Sequence, residues 1–303
     1  MRKKRKICIF TGTRAEYGLL SHIIEKVKNH KNLILQLIVT GTHLSKEFGN
    51  TYQEIEDDGF KIDKKIKILE SGDTDMSTIK SMSNGLIKFS NALKSLKPDI
   101  VVLLGDRFEI LPMASASMIM KIPIAHIHGG ESTEGLIDEA IRHSVTKMSH
   151  LHFVTTEKYR NTVIQLGEET NRVFNFGAPG IEKIKRMIFY KKEELETLLK
   201  IKFNKRNFMI TYHPVTLENL TSKSDFSKLL DSLKKIKNCN FIFTKANADP
   251  DGKIINKLID SFVRKFPNTS YVFDSLGQKK YFSCLKYVDG VVGNSSSGII
   301  EAP

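Results

Sequence analysis

The stretch Ile100-Val-Val-Leu-Leu-Gly-Asp-Arg-Phe-Glu109 decides the fold. Five apolar residues run without a polar break, and a glycine and charged residues follow at once. A strand covered by helices on both faces of a parallel sheet reads this way, whereas a strand with one wet face alternates. Outward from it, strand-like runs recur at Lys6–Phe10, Leu33–Val39, Pro123–Ile127, Leu151–Val154 and Arg172–Asn175. Helical stretches at Leu19–Asn29, Met76–Leu96, Asp138–Ser149 and Glu157–Leu166 lie between them, the order of a parallel sheet with crossover helices. Gly177-Ala-Pro-Gly180 interrupts the alternation and predicts a link, dividing the chain into domains 1–176 and 177–303. Beyond it the plan restarts, with strands at Phe208–Tyr212, Asn240–Phe243, Ser270–Phe273 and Gly290–Val292 and helices around Ser224–Lys237 and Lys253–Lys265. The expected fold is therefore α/β, two βαβ domains in series. Four strands precede Pro303 in the second domain. An ordinary doubly wound sheet has ~5–6, so that domain is expected to be incomplete.

The 303 residues suit two such domains, each with its own core. Lys and Arg outnumber Asp and Glu by 47 to 34, a net charge of +13 that attracts anionic partners. The lysines are dispersed, as in Lys191–Lys205 and Lys223–Lys237, over the expected solvent faces of helices. There is no tryptophan and no interleaving of aromatic with basic residues, so a nucleic-acid partner is not expected. Cys8, Cys239 and Cys284 are odd in number and in no C-x-x-C spacing, which predicts buried reduced thiols. The basic start Met1–Lys6 resembles the head of a signal peptide, but Arg14 and Glu16 break the apolar stretch that would have to follow. The longest apolar run, Ile110–Met120, is too short to span a bilayer, and its Met113–Met120 part is either core or a subunit-contact face. A cytoplasmic protein without a membrane segment is expected.

Ligands of open α/β sheets bind beyond the carboxyl ends of the strands, so polar residues just after strands are the candidates. After the first strand comes Thr11-Gly-Thr-Arg-Ala-Glu-Tyr17 and then a helix. Backbone N–H groups at that helix start, with Arg14, make a phosphate cradle; a capped turn with a surface arginine is the plainer alternative. After the third comes Gly105-Asp-Arg-Phe-Glu109, where Asp106 and Arg107 form either a structural ion pair or part of a site. After the fourth comes His126-Ile-His-Gly-Gly-Glu131, followed by Asp138-Glu-Ala-Ile-Arg-His143. These loops direct Asp106, His128, Glu131 and Asp138 to one crevice, where carboxylates crowded with imidazoles drive proton affinities apart, as acid and base work requires. His126 and His128 would point the same way in a strand, so a metal held by both with Glu131 is one reading. No further ligand cluster has metal spacing, and neither metal nor organic cofactor is expected. Asp138 is either a helix cap or a site residue, with Arg142 one turn on. In the second domain Tyr212-His-Pro214, Thr244–Asp249 and Gly293-Asn-Ser-Ser-Ser-Gly298 each follow a strand. The last, hydroxyls and amides between glycines with Glu301 beyond, reads as an anion nest or a serine-rich cap.

Taken in order, Thr13-Arg-Ala-Glu-Tyr17, Gly105–Glu109, His126–Glu131, Ile141-Arg-His-Ser-Val-Thr-Lys147, His213-Pro-Val-Thr216 and Gly293–Gly298 resemble the motifs of the hydrolysing UDP-N-acetylglucosamine 2-epimerases. The likeness spans essentially the whole chain. It implies a glycosyltransferase-B-like fold, two Rossmann-like domains facing across a central cleft, with a catalytic wall in the first and a UDP-binding wall in the second. It implies a reaction in which a base removes the proton at carbon 2 of the sugar while UDP leaves from carbon 1. Water then adds to the 2-acetamidoglucal to give free N-acetylmannosamine, for nonulosonic (sialic-type) acid biosynthesis. The same reaction on UDP-2,4-diacetamido-2,4,6-trideoxyglucose, or a UDP-sugar glycosyltransferase on the same scaffold, are the alternatives. The resemblance makes Asp106, His128, Glu131, Asp138 and His213 the catalytic candidates. Arg14, Arg107, Arg142, Asn247, Ser295, Ser296 and Glu301 become the UDP-sugar contacts, to which His213 also belongs. Some relatives carry Glu where His128 stands, so that proton-transfer role falls here to His128 or Glu131, and the base is one of His128, Glu131 and Asp106. The expected partners are a UDP-sugar and further copies of the chain, as a dimer or tetramer.

Overall fold

The computed structural model describes all residues except 1–3, 73, 135, 215–221, 247–251, 296, 301 and 303, and at 182, 183, 186, 222, 299 and 300 the backbone alone. The chain forms two compact units, Met1–Lys183 and Ile184–Pro303. Among the described residues, the first holds a seven-stranded parallel sheet in the order β3-β2-β1-β4-β5-β6-β7. Its strands are β1 (Arg5–Thr11), β2 (Leu33–Val39), β3 (Lys64–Lys65), β4 (Ile100–Leu104), β5 (Ile124–Ile127), β6 (Leu151–Val154) and β7 (Val173–Asn175). Helices α1 (Arg14–Asn29), α2 (Tyr52–Asp57), α3 (Asp75–Leu96), α4 (Ile110–Ile119), α5 (Asp138–Met148) and α6 (Glu157–Gln165) connect them. The strand order reverses between β1 and β4, so the loops after both open at one switch point.

The apolar run of β4 is sandwiched as its sequence requires. Val101 and Leu103 join one buried cluster with Cys8, Phe10, Phe89 and Met113, while Val102 and Leu104 join another with Ile9, Leu37, Leu20 and Ile24. Successive side chains of a strand point to opposite faces, and here both faces are covered. Ile110–Met120 proves to be mostly core: Ile110, Met113, Ala114 and Ala116 of α4 are buried, and only its end, with Ile119 75% exposed, faces out. α1 starts earlier than its apolar spacing predicts, because Thr13 and Glu16 form a capping box. β3 was unreadable as a strand: its two residues are lysines, and only pairing to Ile38 and Val39 makes it one. A groove of about 720 Å³ beside it is lined by Lys46, Lys64, Lys65, Lys67 and Lys88.

The second unit carries, among the described residues, a four-stranded parallel sheet ordered β10-β9-β8-β11. The strands are β8 (Arg206–Thr211), β9 (Cys239–Thr244), β10 (Ser270–Phe273) and β11 (Gly290–Gly293). The helices after α6 are α7 (Pro179–Arg186), α8 (Lys192–Leu199), α9 (Ser222–Leu233), α10 (Gly252–Lys265), α11 (Gly277–Leu285) and α12 (Ser297–Ile300). Gly177, in a left-handed conformation (φ +79°), and Ala178 are loop, whereas Pro179 and Gly180 already open α7. Ile210 and Met209 of β8 enter separate clusters, so this sheet too is covered on both faces. Cys8, Cys239 and Cys284 are free and buried. Among the described residues no helix is long and apolar enough to cross a membrane.

Candidate active site

The loop after β4 is fixed from below by a histidine. His126, fully buried on β5, has Nε2 2.7 Å from Gly105 O and Nδ1 3.1 Å from Thr146 Oγ1 of α5. A carbonyl can only accept, so Nε2 carries the hydrogen and Nδ1 accepts from the threonine hydroxyl. Burial, above all, pulls this imidazole down to about 3, and it stays neutral. Both of its nitrogens are occupied, so His126 offers none to a metal. His128 does not share its direction as strand alternation predicts, because it lies beyond β5 in a left-handed conformation (φ +67°). Among the described residues no group of three or more His, Cys, Asp or Glu is placed to hold a metal ion.

That left-handed turn delivers His128 to Glu131. His128 N–H donates to Phe153 O of β6, Nδ1 lies 3.0 Å from Glu131 Oε1, and Nε2 is buried with no hydrogen-bond partner among the described residues. Glu131 Oε1 also accepts from Thr155 Oγ1 at 3.1 Å. Burial pushes the Glu131 carboxyl up, but the bond and charge of His128, with Thr155 and Arg142, outweigh it and leave the group below the usual carboxylate range. Glu131 is thus an acceptor at neutral pH. Nδ1 of a neutral His128 must then hold the hydrogen, and the lone pair is on Nε2. Gly130 (φ +81°) lets the turn close on α6, since a methyl there would stand 2.5 Å from Tyr159 O.

Arg142, 4% exposed on α5, ties the two loops together. Its guanidinium donates to Asp106 Oδ2, to Glu131 O at 2.6 Å and to Thr133 Oγ1 at 2.9 Å. Withdrawal from water nevertheless holds the Asp106 carboxyl above its ordinary range, against the pull of Arg142 and Arg107. Asp138 is the first residue of α5; the cap position itself is Ile137, so Asp138 sits inside the first turn one turn before Arg142. Arg107 Nε lies 3.4 Å from Oε2 of the buried Glu109. Arg14 is the first residue of α1, at the carboxyl end of β1.

In the second unit His213 follows β8 and meets the loop after β11. His213 N–H donates to Asn294 Oδ1 at 2.7 Å, and Asn294 Nδ2 returns a bond to His213 O at 2.8 Å. Ser295 Oγ accepts from Ser297 N–H at 3.4 Å. Gly293 (φ +143°) admits no side chain, because a methyl would collide with Thr211 O. Asn247, Ser296 and Glu301 lie outside the described residues. Sequence reading directed Asp106, His128, Glu131 and Asp138 to one crevice; the structure gathers Asp106, Glu131 and His128 about Arg142. Sequence reading missed Thr133, Thr146, Thr155 and Asn294, whose roles arise only from contacts across loops.

A family model described as UDP-N-acetylglucosamine 2-epimerase matches residues 25–303. The chain is 49% identical to a GDP/UDP-N,N'-diacetylbacillosamine 2-epimerase (hydrolyzing) of Campylobacter jejuni, over 99% of this chain and 78% of that one. It is 38% identical to the polysialic acid biosynthesis protein P7 of Escherichia coli, over 99% of this chain and 76% of the relative. A crystal structure of UDP-GlcNAc 2-epimerase from Neisseria meningitidis bound to UDP-GlcNAc shares the fold, with a TM-score of 0.75 at 20% identity, over 96% of this chain and 78% of that one. This is the glycosyltransferase-B-like class that the motifs imply. The chain belongs to the UDP-N-acetylglucosamine 2-epimerase family.

Proposed function

We propose that the chain is a hydrolysing 2-epimerase of a UDP-linked 2-acetamido sugar in which His128 is the base. The observation that carries this is the orphaned, buried Nε2 of His128, whose opposite nitrogen is held by Glu131. A base oriented by a carboxylate through its second nitrogen is the general arrangement for proton abstraction. Nε2 takes the proton from carbon 2, and the electron pair of that bond becomes the double bond to carbon 1. The bond from carbon 1 to the phosphate oxygen breaks, and UDP leaves with the pair of that bond. Water then supplies hydroxyl to carbon 1 of the glycal, and a proton returns to carbon 2 on the opposite face. Asp106, which burial keeps prone to hold a proton, and Asp138 are the candidate acids. Arg142 positions the Asp106 and Glu131 loops rather than meeting the sugar freely, and Arg14 and Arg107 answer the phosphates. Residues 1–176 thus carry the chemistry, and 177–303, through His213, Asn247, Ser295, Ser296 and Glu301, the nucleotide.

For the sugar, the name of the 49% identical relative supports the 2,4-diacetamido-2,4,6-trideoxy substrate, the alternative drawn from the motifs. UDP-N-acetylglucosamine is the second reading, favoured by the family's description. Both substrates incubated in deuterated water and followed by NMR decide between them. Released UDP and a free 2-epimeric sugar with deuterium at carbon 2 is the expected result, faster for the diacetamido sugar. UDP release without deuterium at carbon 2 would sink the epimerase reading. The outward face of α3, with Met76, Ile79, Leu86 and Ile87 exposed, supports association with a second copy.

A further inference from the structure

The turn that presents Arg14 has an acid behind it. Gly12 N–H and Thr13 N–H, the amides at the start of α1, donate to Glu16 Oε2 at 2.7 and 3.2 Å. Thr13 Oγ1 accepts in return from Glu16 N–H at 3.3 Å. The amides a phosphate takes at such a turn are therefore already held by a carboxyl of the chain. Glu16 is 6% exposed, and its Oε1 is buried with no hydrogen-bond partner among the described residues. Glu109, wholly buried, backs the same turn from the β4–α4 loop. A methyl added to Gly12 would stand 3.5 Å from the Glu109 carboxyl carbon, and one added to Gly41 2.9 Å from its Oε1. An ordinary capping box lies on the surface and uses one carboxyl. Two buried carboxyls packed about Gly12 are a different device.

We propose that Glu16, backed by Glu109, is a positioning residue for the phosphate end of the substrate: it fills the anion-binding turn of α1 from within and leaves Arg14 as that turn's contact to phosphate. This builds on the assignment of Arg14 to the nucleotide made above. Burial first, and then Glu109, push Glu16 up to about 8, against the Gly12 and Thr13 amides and Arg107. The charged groups that act on it are Glu109 and Arg107, both from the β4–α4 connection. His43, whose Nε2 is 3.1 Å from Thr11 Oγ1, is kept neutral by burial. At neutral pH Glu16 accepts the two amides through Oε2 with its proton on Oε1, and adds no negative charge beside the diphosphate. Above pH 8 it ionises and opposes it.

Calorimetric titration with UDP, alongside KM and kcat, between pH 6.5 and 9 tests this on the wild type, Glu16→Gln and Glu16→Ala. The wild-type dissociation constant for UDP and KM are expected to rise ~tenfold from pH 7 to 9, with kcat changing less. Glu16→Ala is expected to weaken UDP ~tenfold or more already at pH 7, and Glu16→Gln to rescue that loss and flatten the rise. Glu16→Gln as weak as Glu16→Ala at pH 7 would overturn the proposal, as would a wild-type affinity independent of pH. Thermal unfolding without ligand gives a second reading: the midpoint should fall from pH 7 to 8.5 in the wild type and not in Glu16→Gln. A protein that binds UDP in this pattern yet turns over neither sugar nucleotide would sink the epimerase reading and leave Glu16 in place.

Discussion

His128 is a histidine in a left-handed backbone conformation, a strained choice for a residue with a side chain, and such strain collects where a group must be aimed. Its removal should cost the reaction and spare the fold. His128→Asn is expected to lower kcat ~10²–10⁴-fold with UDP affinity nearly unchanged, as read by steady-state kinetics and calorimetry. Glu131→Gln removes the carboxylate charge beside His128 and puts an amide that can donate as well as accept next to Nδ1, so the tautomer is held less firmly and kcat should fall less than in His128→Asn. At this scale the sequence was partly legible. Asp106 and Glu131 stand in motifs whose order announces them, so their gathering was expected. The contrast between His126 and His128 was not, because alternation assumes that a strand continues and β5 ends at Ile127. Thr146 and Thr155 were hidden for another reason: a threonine's value here lies in what another loop brings to it.

At the scale of elements, the Gly129–Gly130 turn decides whether the His128 and Glu131 side chains meet. Gly130→Ala must both force a positive φ on a substituted residue and drive a methyl against Tyr159 O. A loss of about 1–3 kcal/mol in stability by denaturant unfolding is expected, with kcat falling further than the folded fraction explains. The helices divide by the same logic of patterning. β4 could be read from apolar residues alone, and α4 turns the apolar run that follows it into core. β3 could not, since its lysines carry no apolar signal. On α3 the exposed Ile79, Leu86 and Ile87 share the outward face of a helix whose other side is buried through Ser81, Phe89, Ala92 and Leu93. Replacing Ile79 and Ile87 together by lysine is expected to yield a monomer by light scattering, with the unfolding midpoint of that monomer unchanged.

For the molecule as a whole, three buried groups set opposite slopes of stability against pH. His43 and His126 are pulled from 6.5 down to about 3 by burial, so the folded chain refuses protons that the unfolded chain takes. Their stabilisation is present above pH 6.5 and is lost as pH falls, at about 1.4 kcal/mol per unit for each. Glu16 is raised from 4.5 to about 8, so its contribution is full below pH 4.5 and is lost as pH rises through 8. Of these three groups, the two histidines outweigh Glu16 between pH 4.5 and 6.5, and Glu16 alone sets the slope between 6.5 and 8. Thermal unfolding should therefore show a maximum near pH 6.5, and Glu16→Gln should flatten only the alkaline side.

The edges of the larger sheet are unequal. β3 offers two residues, both lysines, beside a groove lined by three more, and charge of one sign on a short edge turns away an incoming strand. β7 has no lysine and runs directly into Phe176, 76% exposed and stacked on Phe174. Growth of the sheet by a foreign strand, the first step towards aggregation, is thus blocked on one flank and left to the other. A lysine at Phe176 should therefore slow the turbidity of heated samples far more than any further charge near β3.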